Sequence, residues 1–177
     1  MSYFLETSRV GFRTWTENDF VLAKELWGNP IVMQNISAQT KLSDSEIQEK
    51  LNSEISNLKK FGVQYWPCFL LESDTFIGTC GLRPYKLFDG IFEMGIHLLP
   101  EYWNKGIGYE AASAMIEHAF NILNISSLFA GHNPQNLASS ILLKKLGFRF
   151  THYEFYPPTG LNHPSYILNT EELSPGK

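Results

Sequence analysis

The most informative stretch of this sequence runs Leu98-Leu99-Pro100-Glu101-Tyr102-Trp103-Asn104-Lys105-Gly106-Ile107-Gly108-Tyr109-Glu110-Ala111. It follows an apolar run that predicts a strand, and it leads into a strongly amphipathic pattern that predicts a helix. Glycines in such a turn let backbone N–H groups approach a ligand closely. Because the first N–H groups of a helix lack partners and carry partial positive charge, the turn is a candidate phosphate site.

The surrounding pattern predicts an α/β protein. A meander of three strands over 65–71, 76–82 and 91–98 precedes the turn, and the helix after it spans 106–123. Further strands are predicted over 10–13, 127–130, 148–155 and 166–168, and further helices after caps at Thr16, Ser43 and Asn136. The first of these helices should stop at Asn29-Pro30. We therefore expect one domain over 1–177, a mixed, mostly antiparallel sheet with helices on both faces, and a polar tail over 170–177.

Composition excludes several classes of protein. The 177 residues carry a net charge of −4, which argues against a nucleic-acid partner. No apolar run approaches the length of a membrane span, so no membrane partner is expected. Cys68 and Cys80 lack metal-ligand spacing and neighbouring histidines, so they are expected to be reduced core residues, and no metal is expected. The default location is the cytoplasm.

The glycine turn alone does not identify the ligand that it binds. The dinucleotide fingerprint needs a third glycine where the chain has Ala111, and a P-loop needs a Gly-Lys-Ser/Thr that is absent. A second polar cluster runs Gly131-His132-Asn133-Pro134-Gln135-Asn136-Leu137-Ala138-Ser139-Ser140 and is followed by Leu146-Gly147-Phe148. A helix cap at Asn136 and a helix stop at Gly147 explain these residues without any ligand.

Together the two clusters are much more specific. Pro-Glu-Tyr-Trp-Asn-Lys-Gly-Ile-Gly-Tyr-Glu-Ala, then Asn-Pro-Gln-Asn-x-Ala-Ser, then Lys-Leu-Gly-Phe resembles the GNAT N-acetyltransferases, above all their RimJ/RimL-type branch. The resemblance covers roughly 10–168. It implies a sheet splayed between its fourth and fifth strands, with acetyl-CoA inserted in the opening as co-substrate.

The resemblance also implies site residues. The pyrophosphate would lie on the turn, and the pantetheine arm would pair with the strand before it. The implied acetyl-CoA contacts come from the strand, the turn and the second cluster: Ile96, His97, Leu98, Lys105, Gly106, Ile107, Gly108, Tyr109, Asn133, Asn136 and Ser139. The family often has a tyrosine acid where this chain has Leu143, so Ser139 is the substitute proton donor that the branch suggests.

The chemistry needs a proton acceptor, because an amine arrives mostly protonated. Glu93 lies on the strand before the turn, where the family often has a glutamate. Strand alternation places Glu93, Gly95 and His97 on one face, so Glu93 and His97 are the candidate bases. Structural roles for both residues stay open: a hydrogen-bonding carboxylate at the rim and a packed histidine.

We therefore expect direct transfer of an acetyl group from acetyl-CoA to a primary amine in a ternary complex. A protein N-terminus is the first choice of acceptor and a small amine, such as a polyamine or a drug, is the second. A non-catalytic acyl-CoA sensor is the competing class, because the family tyrosine is missing, and an NAD-binding oxidoreductase is a distant third. A monomer and a homodimer are equally compatible with the sequence.

Overall fold

A computed structural model describes residues 2–172 and places eight strands in one sheet. The strands are β1 (Leu5–Glu6), β2 (Val10–Phe12), β3 (Tyr65–Leu70), β4 (Thr75–Lys86), β5 (Ile91–Leu98), β6 (Ser127–Gly131), β7 (Arg149–Tyr156) and β8 (Leu161–Asn169). Their spatial order is β1-β2-β3-β4-β5-β6-β8-β7. Neighbouring strands pair antiparallel except β5 and β6, which pair parallel, so the predicted mixed sheet is confirmed. Residues 173–177 of the predicted tail lie outside the described residues.

Five helices pack around this sheet within the described residues: α1 (Phe20–Trp27), α2 (Pro30–Met33), α3 (Asp44–Phe61), α4 (Ile107–Asn121) and α5 (Leu137–Lys145). A capping box starts α3, since Ser43 accepts from the Glu46 N–H and Glu46 accepts from the Ser43 N–H. The predicted stop at Asn29-Pro30 ends α1, but it also starts α2. Asn29 caps this short helix and Pro30 takes its first position, where a missing N–H costs nothing.

Three strands depart from the predicted bounds. The two-residue β1 has too little sequence to show a period. The predicted 76–82 strand extends to Lys86, and the predicted 166–168 strand begins at Leu161. Pro84 and Pro164 interrupt the alternation of apolar and polar residues in these two extensions. The alternation therefore predicts shorter strands than the structure has.

Two apolar cores cover the two faces of the sheet. On the first, which we call the α4 face, α4 and α5 pack on the sheet around Cys80, Met94 and Met115. On the opposite one, the α3 face, the helices α1 to α3 pack around Trp27, Leu51 and Phe69. Cys68 and Cys80 are free, buried thiols of the first core, as expected.

The sheet splays open between β5 and β6. Their parallel ladder begins at Ile91 and ends where Glu93 lies opposite Phe129. Beyond this pair, β5 stays bound to β4 as far as Leu98, whereas β6 stays bound to β8 as far as Gly131. The two strands therefore diverge into a V-shaped cleft. Because the structure has a short extra β1, these are the fourth and fifth strands of the sequence prediction, which is confirmed.

Candidate active site

The cleft exposes main chain that the sheet does not use. Over 94–98, β5 has a strand partner only on its β4 side among the described residues. Backbone N–H and C=O groups left unpaired in this way can bind an extended ligand as an added strand does. The predicted pantetheine contacts Ile96, His97 and Leu98 all lie on this segment.

The glycine turn closes one end of the cleft. Gly106 is the N-cap of α4 with a φ of +75°, a left-handed conformation that favours glycine. Gly108 lies two residues further, in the first turn of α4, where an added Cβ would come 3.6 Å from Leu98 Cδ1 and 3.7 Å from Ile96 Cδ1. The two glycines therefore have different roles. Gly106 allows the left-handed backbone of the turn, and the missing side chain of Gly108 leaves space in the cleft beside Leu98 and Ile96.

An ion pair between Arg9, in the β1–β2 connection, and Glu110 holds this turn in place. Glu110, in the first turn of α4, accepts from Arg9 Nε at 2.6 Å and from the Arg9 backbone N–H at 2.9 Å. The hydroxyls of Thr7 and Ser8 bind the same carboxylate, and Arg9 Nη1 donates to the carbonyl of Lys105 at 3.1 Å. These bonds hold the pKa of Glu110 down at about 2, against the opposing effect of desolvation. Sequence reasoning missed Arg9, because nothing in its neighbourhood marks a contact about a hundred residues away.

The second cluster forms the other wall of the cleft. Asn136 caps α5 by accepting from the Ser139 N–H at 3.1 Å, as predicted. Ser139 is partly buried in the first turn of that helix. Asn133 is buried and its side-chain oxygen accepts from the Gln135 N–H, so it shapes the turn before the cap. Leu143 belongs to the apolar core, so no acid stands at the position of the family tyrosine.

A hydroxyl that sequence reasoning did not single out lies behind α5. Tyr166 on β8 is buried, and its Oη lies 3.4 Å from Ser140 Oγ and 3.4 Å from His132 Nε2. His132 Nδ1 in turn contacts the carbonyl of Asn133 at 2.8 Å. The strand pairing Ala130–Tyr166 creates this arrangement, and strand pairing across 36 positions has no local signal.

Glu93 and His97 share the α3 face of β5 as predicted, among ionisable side chains from three other elements. Arg83 lies opposite Glu93 on β4, and its guanidinium binds the fully buried carboxylate of Glu54 on α3. Tyr65 of β3 lies on the same face, and its hydroxyl lies over Gly95, between Glu93 and His97. Burial raises the pKa of Glu93, and the positive charge of Arg83 opposes that effect.

The surroundings of His97 weaken it as a base. Burial and the positive charges of Lys50 and Arg83 hold the pKa of His97 well below its ordinary value. Its Nδ1 is buried without a hydrogen-bond partner among the described residues, next to the equally unpartnered hydroxyl of Thr79. The imidazole is therefore neutral throughout the physiological range.

Known proteins share this arrangement. The family model described as an acetyltransferase (GNAT) domain matches residues 9–149. The chain belongs to the GNAT acetyltransferase family. A curated relative, the uncharacterized N-acetyltransferase p20 of Bacillus licheniformis, is 28% identical over 150 residues, which cover 82% of each chain. With this family assignment, the protein is an acetyl-CoA-dependent N-acetyltransferase, and the oxidoreductase and sensor alternatives are set aside.

Two solved structures show the same fold as this GNAT protein at low identity. One is RimL, a ribosomal L7/L12 α-N-protein acetyltransferase in complex with coenzyme A, with a TM-score of 0.79, 14% identity, and coverage of 92% of this chain and 95% of that chain. The other is a spermidine N-acetyltransferase from Vibrio cholerae in complex with CoA and spermine, with a TM-score of 0.79, 18% identity, and coverage of 94% and 98%.

The residues of this GNAT protein fit acetyl-CoA. The β5 edge that lacks a β6 partner would pair with the pantetheine amides, and the N–H groups at the N-terminus of α4 would bind the pyrophosphate. Among residues 2–172, no three His, Cys, Asp or Glu side chains lie close enough to hold a metal ion. Within the same range, no helix has the length and apolar character needed to cross a membrane.

Proposed function

We propose that the acceptor is the α-amine of a protein or peptide N-terminus, that it enters from the α3 face, and that Glu93 is its proton acceptor. The observation that carries this proposal is the position of Glu93, the last β5 residue paired with β6. Its carboxylate lies where the strands part, on the face opposite to α4 and α5. An acetyl group held in the cleft would meet an amine there.

The charges around Glu93 favour a singly charged amine over a polyamine. Glu93 and Glu154 supply negative charge, but Arg83 and Lys50 lie within electrostatic reach of the same carboxylate. Because Arg83 is paired with Glu54, Lys50 is the cation that the further positive charges of a polyamine would meet, at a cost that grows as water is excluded. A peptide N-terminus brings only one charge next to a neutral backbone.

The pKa of the acceptor amine also favours a peptide N-terminus over a polyamine. An α-amine has a pKa of ~8, so about a quarter of it is neutral at pH 7.5, whereas an alkylamine of pKa ~10.4 is neutral in about one molecule per thousand. Glu93 is a modest base even with a raised pKa. It therefore matches an α-amine, whose proton is the easier one to remove.

The proposed reaction is a single displacement. Glu93 takes one proton from the ammonium, directly or through a water, and the neutral nitrogen attacks the carbonyl carbon of the thioester. A backbone N–H of β5 beyond Glu93, left without a strand partner, stabilises the oxyanion. The C–S bond then breaks, the amide forms, and the second amine proton leaves to solvent.

The departing thiolate would form near the first turn of α5. The partial positive charge of that helix end favours a thiolate, and the hydroxyl of Ser139 in the same turn is the proposed proton donor. Two buried thiols, Cys68 and Cys80, persist unpaired in the core, which supports a reducing compartment such as the cytoplasm as the site of action.

The test is acetyl-CoA turnover, followed by thiol release, over a panel of acceptors. The panel contains peptides with free N-termini, the same peptides with acetylated N-termini and an internal lysine, and spermidine. We expect free N-termini to be used with a kcat/KM at least ~10-fold above the other two groups. Preferential use of spermidine would instead support the small-amine alternative, which the spermidine N-acetyltransferase neighbour keeps open.

A further inference from the structure

A tyrosine lies flat across three strands on the α3 face. In the register of the sheet, Tyr65 on β3 is paired with Gly81 on β4, and Gly81 is paired with Gly95 on β5. A Cβ on Gly95 would come within 2.3 Å of Tyr65 Oη and 2.4 Å of Tyr65 Cζ. The hydroxyl therefore lies directly over Gly95, in space that only a glycine leaves free.

This glycine is costly in a strand, so its position calls for an explanation. Glycine weakens a strand interior and often marks the close approach of another group. Gly95 lies between Glu93 and His97 on the face that carries both candidate bases. The group that approaches it is the hydroxyl of Tyr65, which is thereby placed beside Glu93, the neighbour of Gly95 on this face of β5.

Hydrogen bonds fix the backbone of Tyr65, and two neighbouring side chains contact its ring. Its backbone N–H donates to Glu54 Oε2 at 2.8 Å, and its carbonyl accepts from Trp15 Nε1 at 2.7 Å. The Arg83 guanidinium carbon lies 4.0 Å from the centre of the ring, and the ring of His97 meets it edge-on at 5.5 Å. A side chain fixed in this way can hold a neighbouring carboxylate in one orientation.

We infer that Tyr65 is a positioning residue for the acetyl transfer, and that Gly95 exists to admit its hydroxyl. In this role the hydroxyl donates to the ionised form of Glu93 and so opposes the rise in the Glu93 pKa that burial causes. The inference rests on the proposed role of Glu93. It adds Tyr65, which acts through Glu93, and Gly95, whose missing side chain admits the Tyr65 hydroxyl.

The test compares Tyr65→Phe with Tyr85→Phe. Tyr85 lies on the same face, but its hydroxyl donates to Glu154, which makes it a matched control. The first readout is the pKa of the Glu93 carboxyl, measured by ¹³C NMR and assigned with Glu93→Gln. We expect Tyr65→Phe to raise this pKa by about one unit, because a hydrogen bond to the charged form is lost, and Tyr85→Phe to leave it in place.

The second readout is the pH dependence of kcat/KM with the best acceptor. In Tyr65→Phe the fall in kcat/KM on the acid side (the acid limb) should move to higher pH by the same amount as the Glu93 pKa. A purely structural role of Tyr65 would not produce this shift. Gly95→Ala, which displaces the ring, should shift the limb similarly, and the double variant should show far less than the sum. An unchanged Glu93 pKa in a folded Tyr65→Phe variant would overturn the inference. If the pKa moves but the limb does not, Glu93 is not the base, so the proposed mechanism fails and the positioning role fails with it.

Discussion

Replacing Glu110 with glutamine tests how the cofactor turn is held. The pKa of Glu110 is lowered from 4.5 to about 2 by the Arg9, Thr7 and Ser8 contacts. At ~1.4 kcal/mol per pKa unit, this lowering sets a ceiling of ~3.4 kcal/mol on what ionisation contributes to folding. Because water reaches part of the pair, screening reduces the expected loss in Glu110→Gln to ~1–2 kcal/mol.

The pH dependence of this loss follows from the sign of the pKa change. A carboxyl whose pKa is depressed in the native state contributes fully above its unfolded pKa of 4.5, and the contribution is lost as pH falls from 4.5 toward 2. Urea denaturation should therefore show the full difference between wild type and Glu110→Gln at pH 7 and less than half of it at pH 3.

The matched control is Glu117→Gln, an exposed glutamate on the same helix, which should change stability by less than ~0.5 kcal/mol. Glu110→Gln should also weaken acetyl-CoA binding several-fold in calorimetry, because Arg9 would no longer hold the Lys105 carbonyl in place. A difference that is the same at pH 3 and pH 7, or a Glu117→Gln variant that behaves like Glu110→Gln, would refute the charge-based account of how this turn is held.

Three further predictions concern the cleft. Gly106→Ala should lower the free energy of unfolding, measured by urea denaturation, by ~1–2 kcal/mol because the backbone at this position is left-handed. Gly108→Val should leave the free energy of unfolding unchanged and weaken acetyl-CoA binding, measured by calorimetry, at least ~10-fold. Asn136→Ala should cost ~1 kcal/mol of stability through the lost cap, while Ser139→Ala should keep stability and acetyl-CoA affinity but lower kcat; full kcat would assign thiolate protonation to another group. His97→Gln should leave the acid limb of kcat/KM unmoved, because the imidazole is already neutral; a limb abolished by this change would make His97 the base.

Local signals predicted the elements that frame the site. The cap at Ser43 identified the start of α3, and the predicted strand over 91–98 has the bounds of β5. The splay itself came from the family resemblance, since no local pattern marks where two strands stop pairing. The predicted cofactor residues lie on β5, on the glycine turn and around the start of α5, and their contact with acetyl-CoA stays a prediction; the side-chain oxygen of Asn133 accepts a hydrogen bond within a turn.

The residues that sequence reasoning missed are those whose partners are far away in the chain. Arg9 meets the helix at Glu110, and the Tyr65 hydroxyl reaches over β5 only because β4 and β5 place Gly81 and Gly95 in its path. Such contacts depend on the pairing register, which a single sequence does not reveal.

The most direct test of the account is the kcat of Glu93→Gln with acetyl-CoA and the best N-terminal peptide, measured from pH 5 to pH 9. Glutamine keeps the shape of the side chain but cannot take a proton. The account predicts a kcat at least ~10-fold below wild type at neutral pH, an unchanged Kd for acetyl-CoA, and the loss of the acid limb. A wild-type kcat across this range would contradict it, because the proton would then leave without Glu93.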